Sequence, residues 1–195
     1  MDLVFFGSGA FGLPTLQRLA HAHRVTAIIT QPDRKAGRGA RLTPTPIGAW
    51  AAEHLPHVPL LKPGRVSDPE SLEQVRAFPA DAWVVIAYGQ KLSPALLADR
   101  FAINLHASLL PRWRGAAPIN WAILQGDSQT GNSVITLADR MDAGVGGLDV
   151  TPGSFWARAG VTSSPPTPPP SCTTSSPPTA PTWSNACSPS TRRGR

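Results

Sequence analysis

Ala82-Trp83-Val84-Val85-Ile86-Ala87 is the stretch that decides the fold. Its residues are all apolar, most of them β-branched or aromatic, and the run breaks at Tyr88-Gly89. A strand with one wet face alternates apolar and polar residues. A strand without alternation is covered on both faces, as in the parallel sheet of an α/β protein. Outward from this run, Leu3-Val4-Phe5-Phe6, ending in Gly7, and Val25-Thr26-Ala27-Ile28-Ile29 read as further strands. Between them, Leu13, Leu16, Leu19 and Ala20 recur at helical spacing, and Pro14 fits a first turn, where a missing N–H costs nothing. Helices are expected over Ile47–His54, Pro69–Phe78, Pro94–Arg100 and Ala116–Leu124, and strands over Phe101–Leu105 and Ser133–Leu137. Gln31–Pro46, rich in Pro, Gly and Arg, reads as a long polar loop. Strands separated by helices predict an α/β, Rossmann-like, mainly parallel sheet with helices on both faces and right-handed crossovers. Ligands in such sheets bind at the carboxyl ends of the strands.

Composition divides the chain of 195 residues in two. Residues 1–144 have the apolar runs and turn residues of a globular domain. Residues 145–195 are rich in Pro, Ser and Thr. From Thr151 on, the charged residues are Arg158, Arg192, Arg193 and Arg195. A stretch of this kind buries too little apolar surface to offset the entropy of ordering it, so a disordered tail is expected. The formal charge of +6 comes partly from those arginines. Within the globular part, Arg34, Lys35, Arg38 and Arg41 cluster in the polar loop, as either a solvated segment or a contact for phosphates. Both cysteines, Cys172 and Cys187, lie in the tail and say nothing about the fold. There is no signal peptide and no apolar stretch long enough to span a bilayer, so a cytoplasmic protein with no membrane contact is expected.

Two motifs compete for the chemistry. Gly7-Ser8-Gly9-Ala10-Phe11-Gly12 fits the G-x-G-x-x-G dinucleotide fingerprint, with Asp33 about 20 residues further on. The glycines serve equally well as a tight strand-to-helix turn, and Asp33, between Pro32 and Arg34, is placed to pair locally instead of facing a ribose. The second motif is Asn104-Leu105-His106-Ala107-Ser108-Leu109-Leu110-Pro111, which begins on a strand and ends in the loop at its carboxyl end. Alternation points Asn104 and His106 to one side. An amide and an imidazole there can stabilise an oxygen that gains negative charge, and histidine can also move a proton. A carboxylate is the missing part. Asp142, in Arg140-Met141-Asp142-Ala143-Gly144, is one candidate, although an aspartate before a turn is also common; Asp139, nearer the strand end, competes.

Asn104, His106 and Asp142 resemble the Asn-His-Asp triad of the formyltransferases that use 10-formyltetrahydrofolate. Ser108-Leu109-Leu110-Pro111-Arg112-Trp113-Arg114-Gly115-Ala116-Ala117-Pro118-Ile119 resembles the methionyl-tRNA formyltransferases more than the glycinamide ribonucleotide enzymes. Gln31 to Gly39 resembles the inserted loop that the former use on tRNA, and Ala87-Tyr88-Gly89-Gln90-Lys91-Leu92 resembles their folate loop. The resemblance covers residues 1–144 and implies formyl transfer from 10-formyltetrahydrofolate, as co-substrate and without a metal, to the amine of initiator methionyl-tRNA. It implies Asn104, His106 and Asp142 as catalytic residues. Ala87, Tyr88, Gly89, Gln90, Leu92, Ser108, Leu109, Leu110 and Pro111 would line the folate site, and Arg34, Lys35, Arg38 and Arg41 would contact tRNA. A monomer is expected. A related enzyme acting on a nucleotide sugar or glycinamide ribonucleotide, and a non-catalytic fragment that binds nucleic acid, are the alternatives.

After Gly144 the resemblance stops, and the barrel-like second domain of such enzymes is not legible. Codons rich in G and C for Cys172 to Pro189, read one base earlier, spell a segment with helical apolar spacing. A frameshift between Gly144 and Cys172 is therefore expected, and with it an incomplete catalytic domain whose activity is lost or weak.

Overall fold

The computed structural model describes residues 1–37, 39–137 and 155–162, the last of these by backbone alone. The apolar runs form the centre of a seven-stranded sheet. In chain order the strands are β1 (Asp2–Gly7), β2 (Arg24–Ile29), β5 (Leu60–Leu61), β6 (Ala82–Ile86), β7 (Ala102–His106), β8 (Gln129–Leu137) and β9 (Phe155–Thr162), in spatial order β5-β2-β1-β6-β7-β8-β9. Pairing from β5 through β7 is parallel, while β8 runs antiparallel to β7 and β9 antiparallel to β8. The sheet is thus mainly parallel, as the unalternated runs predict, with an antiparallel end.

Helices cover both faces. On one side, Val4 and Phe6 of β1, Trp83 and Val85 of β6 and Ala102 of β7 pack with Val75 of α3 (Pro69–Arg76) and Leu96 and Leu97 of α4 (Pro94–Leu97). On the other, Phe5, Val84 and Ile86 pack with Leu16 of α1 (Leu13–Ala22) and Ile47 and Ala51 of α2 (Pro46–His54). Strand alternation divides each apolar run between the two cores, which is why no polar residue interrupts β6. Helix starts follow local chemistry. Pro46 and Pro94 occupy first turns; the Thr45 hydroxyl accepts from Gly48 N at 2.9 Å, and the Ser93 hydroxyl from Leu96 N at 3.2 Å.

Several elements differ from the sequence reading. The expected loop Gln31–Pro46 contains an antiparallel hairpin, β3 (Arg34–Ala36) with β4 (Arg41–Thr43), and Pro46 already belongs to α2. Its turn uses Gly37 and Gly39, both at positive φ, and the exposed charged strands gave no apolar alternation to read. The two-residue β5 was too short to register. The expected helix over Pro94–Arg100 stops at Leu97, with Asp99 in the left-handed region (φ 57°). β9 falls in the stretch read as tail; Phe155, Trp156, Val161 and Thr162 are strand-favouring types that the surrounding Pro and Ser obscured. The remainder of the expected tail, with Cys172, Cys187 and the proposed frameshift segment, lies outside the described residues. No helix among the described residues is long and apolar enough to cross a membrane.

Candidate active site

β7 passes from core to chemistry along one face. Ala102 is in the core, and the same face continues through Asn104 to His106, both half-buried, at the carboxyl end. Ile103 and Leu105 point the other way, against the α1 and α2 side. Parallel pairing to β6 (Val85 with Asn104) and antiparallel pairing to β8 (His106 with Ser133) fix the height of both polar residues. The structure therefore places Asn104 and His106 on one face of β7, at its carboxyl end. Asp142, with its competitor Asp139, lies outside the described residues.

The loop after β7 folds back over this edge. Ser108 is fully buried, and its hydroxyl donates to Arg112 O at 2.6 Å. Ser133 on β8, also fully buried, donates to Ser108 O at 2.7 Å and accepts from Leu110 N at 3.0 Å. Leu110 is packed inside, Leu109 is half-buried and Pro111 is exposed. Trp113 has φ 56°, a left-handed conformation that costs an L-residue about 1–2 kcal/mol. It directs its carbonyl to His106 Nε2 at 2.9 Å. A carbonyl oxygen only accepts, so Nε2 is the nitrogen that carries the proton in this contact.

The loop after β6 is built differently. Ala87 (φ 47°) and Gly89 (φ 86°) turn it, while the side chains of Tyr88 and Leu92 go into the core. The Gln90 amide is spent on the neighbouring segment: its oxygen accepts from Val66 N at 2.7 Å, and its nitrogen donates to Pro63 O at 3.1 Å and Gly64 O at 3.2 Å. Of Ala87 to Leu92, the exposed residues are Ala87, Gly89 and Lys91. Burial pushes the Tyr88 phenol well above its ordinary pKa.

The glycine-rich turn packs against this loop. A Cβ on Gly7 would lie 2.6 Å from Phe5 Cε1 and 3.0 Å from the Ile86 carbonyl oxygen. Gly9 (φ −74°) and Gly12 (φ −81°) have ordinary dihedrals. Close approach at Gly7 is thus the demand on this turn, and it requires no nucleotide. Asp33 accepts from Lys62 Nζ at 2.6 Å, an ion pair with a segment 29 residues away and not the local pairing expected beside Arg34.

A polar hub that sequence reading missed joins these parts. Ser8 N donates to Ala87 O at 3.2 Å, and Ser8 Oγ donates to Tyr88 O at 2.9 Å and accepts from Gln31 N at 3.1 Å. Gln31 Nε2 also donates to Tyr88 O, at 3.2 Å, and the hydroxyls of Thr30 and Thr45 lie 2.6 Å apart. The available signal was that Ser8 and Thr30 sit where apolar strands end. Beyond Gln31, the hairpin carries Arg34, Lys35 and Arg41 exposed, with Arg34 reaching Gln31 Oε1 at 3.4 Å; Arg38 lies outside the described residues. Among the described residues no cluster of three or more His, Cys, Asp and Glu could hold a metal ion.

The fold and this edge define an α/β domain with polar residues gathered at the carboxyl ends of its parallel strands. The chain belongs to the formyl transferase family, whose pattern it matches over residues 1–146. It is 44% identical to the methionyl-tRNA formyltransferase of Synechococcus sp. over 148 residues, covering 74% of this chain and 45% of that protein. It is 48% identical to that of Nitrobacter winogradskyi, covering 74% and 46%. The chain thus spans about half the length of these curated relatives. Its fold is similar to that of phosphoribosylglycinamide formyltransferase from Bacillus halodurans, with a TM-score of 0.61 and 21% identity, covering 86% of this chain and 83% of that one. It is similar also to a formyltetrahydrofolate deformylase from Pseudomonas syringae, with a TM-score of 0.56 and 19% identity, covering 84% and 51%.

Proposed function

We propose that this chain carries the formyl-transferring half of a methionyl-tRNA formyltransferase. Its donor would be 10-formyltetrahydrofolate and its acceptor the amine of initiator methionyl-tRNA. The observation that carries the reading is Asn104 and His106 on one face at the carboxyl end of β7, in a chain 44% and 48% identical over its first three quarters to two enzymes of that name. The donor supplies a formyl carbon to which the amine nitrogen bonds as the bond to N10 breaks. The Asn104 amide and the His106 imidazole donate to the formyl oxygen as it gains charge, an effect worth on the order of 10²–10³-fold per donor. Asp142, which the resemblance makes the third member of the triad, would take up the amine proton, and N10 of the departing folate ends up carrying a proton in its place. The loops after β6 and β7 would hold the donor, at the carboxyl end of the parallel strands where ligands of such sheets bind.

Arg34, Lys35 and Arg41, with Arg38 between them, hold the acceptor through its phosphates. Exposed cations on a two-stranded hairpin can reach a nucleic-acid backbone without unfolding anything else. The test is transfer of labelled formyl from 10-formyltetrahydrofolate to methionyl-tRNA by the full chain and by its His106→Ala variant. Transfer by the chain that falls at least ~10²-fold in the variant supports the reading. Equal transfer by the two, or none by either, overturns it for this chain.

A further inference from the structure

Asp127 sits where α5 (Pro118–Leu124) turns into β8, outside every motif that the site used. Its backbone N–H donates to Ala122 O at 2.9 Å, after Gly126 has turned the chain at φ 66°. Its carboxylate is only 8% exposed and faces the loop that follows β7. One oxygen accepts from Arg112 Nη2 at 2.8 Å and the other from Trp113 Nε1 at 2.5 Å. A carboxylate buried to this degree is costly unless its lone pairs are filled, and these two donors fill both oxygens.

The second observation is what those donors hold. Trp113 has the left-handed backbone conformation that aims its carbonyl at His106 Nε2. A bulky residue adopts that conformation only where its surroundings impose it. The surroundings are the Asp127 carboxylate on the indole N–H, the Arg112 guanidinium 5.2 Å from the indole centroid, and Trp121 stacked at 6.4 Å. A continuous chain of directional contacts therefore runs from Asp127 through the Trp113 side chain to the Trp113 carbonyl and on to the His106 ring.

We propose that Asp127 is a positioning residue, which through Trp113 holds His106 in one ring orientation and as the Nε2–H tautomer. The imidazole is set by the other group its ring nitrogen meets, and here that group is a carbonyl kept in place by a carboxylate one loop away. Nδ1 is left outside that contact, as the ring nitrogen that can exchange a proton at the site. Asp127 touches neither substrate, and only its kinetic consequence rests on the formyl-transfer reading.

The test uses the full chain with its histidines labelled with 15N, comparing wild type with Asp127→Asn and Trp113→Phe and assigning the His106 ring by its loss in His106→Ala. Asparagine keeps one acceptor but sets an NH2 group against a donor, while phenylalanine keeps an aromatic ring and removes the indole N–H together with the second ring. The expected result is a single Nε2–H tautomer in wild type and ring nitrogen shifts moved toward the tautomeric average in both folded variants. Formyl transfer at saturating substrates should fall on the order of 10–100-fold in either variant, and no further when either change is added to His106→Ala. A merely structural role would lower the denaturation midpoint and leave the His106 ring of the folded protein unchanged. Unchanged ring signals in folded Asp127→Asn or Trp113→Phe overturn the proposal. Trp113→Phe alone decides if Asp127→Asn does not fold. If the wild-type chain transfers no formyl, the functional reading fails while the ring nitrogens still decide this one.

Discussion

Two loops leave neighbouring strands at the same edge of the sheet and are held there by different forces. After β6, residues 87–92 send Tyr88 and Leu92 into the core, and the carbonyls of Ala87 and Tyr88 are claimed by Ser8 and Gln31. After β7, residues 107–117 bury only Ser108 and Leu110, and most of the rest is exposed. That second loop is held by directional bonds: Ser133 to Ser108 and Leu110, Ser108 to Arg112, Asp127 to Arg112 and Trp113, and Trp113 to His106. Burial is strong but non-directional, so it anchors a loop without setting angles. A hydrogen bond nets only about 1 kcal/mol, yet it fixes orientation. The loop that lies across His106 is held mainly by the force that sets angles, while the loop beside it adds the burial of two side chains to its hydrogen bonds.

The sharpest way to break this contrast is to remove burial from the first loop. Leu92→Ala deletes a side chain that is 5% exposed in the larger core cluster, and should cost ~2–5 kcal/mol in denaturant unfolding. A loss under ~1 kcal/mol would mean that the loop is not anchored by burial. Next in size is Ser133→Ala in the second loop. It removes the hydroxyl's bonds to the Ser108 carbonyl and the Leu110 N–H, for ~1–3 kcal/mol. This variant should lose more formyl transfer than Leu92→Ala when both are assayed under conditions where each is fully folded. The reverse order of activity would dissolve the distinction between anchoring and aiming.

Much of this was legible in sequence because apolar runs record burial. The strands at β1, β2, β6 and β7 and the helix α1 followed from runs such as Trp83-Val84-Val85-Ile86 and from the spacing of Leu13, Leu16 and Leu19. Asn104 and His106 were legible as the polar end of an otherwise apolar strand. The β3–β4 hairpin was not, because its residues are solvated on every side and leave no periodicity. Nor was Asp127: an aspartate after glycine reads as a turn, and its bonds to Arg112 and Trp113 depend on how α5 returns to the sheet. Directional contacts between distant segments have no sequence period, so the bonds that aim the second loop were the part that could not be read.

Tyr88 supplies the smallest and most discriminating case, because it adds a polar group to the loop held by burial. Its ring is 2% exposed and meets Phe6 edge-on at 5.6 Å, but among the described residues its hydroxyl has no hydrogen-bond partner. If burial anchors this loop, the hydroxyl contributes nothing, and Tyr88→Phe should leave stability unchanged or raise it by up to ~1 kcal/mol, since an unpaired buried hydroxyl is unfavourable. The pH dependence has a definite sign. Burial raises the folded-state pKa above the unfolded value of about 10, so the unfolded chain gives up this proton first. Stability is therefore intact below pH ~10 and falls as pH climbs from there toward the folded-state pKa, and Tyr88→Phe should remove that part of the slope. The chain has a single tyrosine, so tyrosinate absorbance reports on Tyr88 alone. Ionisation of the native protein at pH ~10, or a loss of several kcal/mol in Tyr88→Phe, would show that the hydroxyl is wet or bonded and that Tyr88 anchors the loop by more than burial.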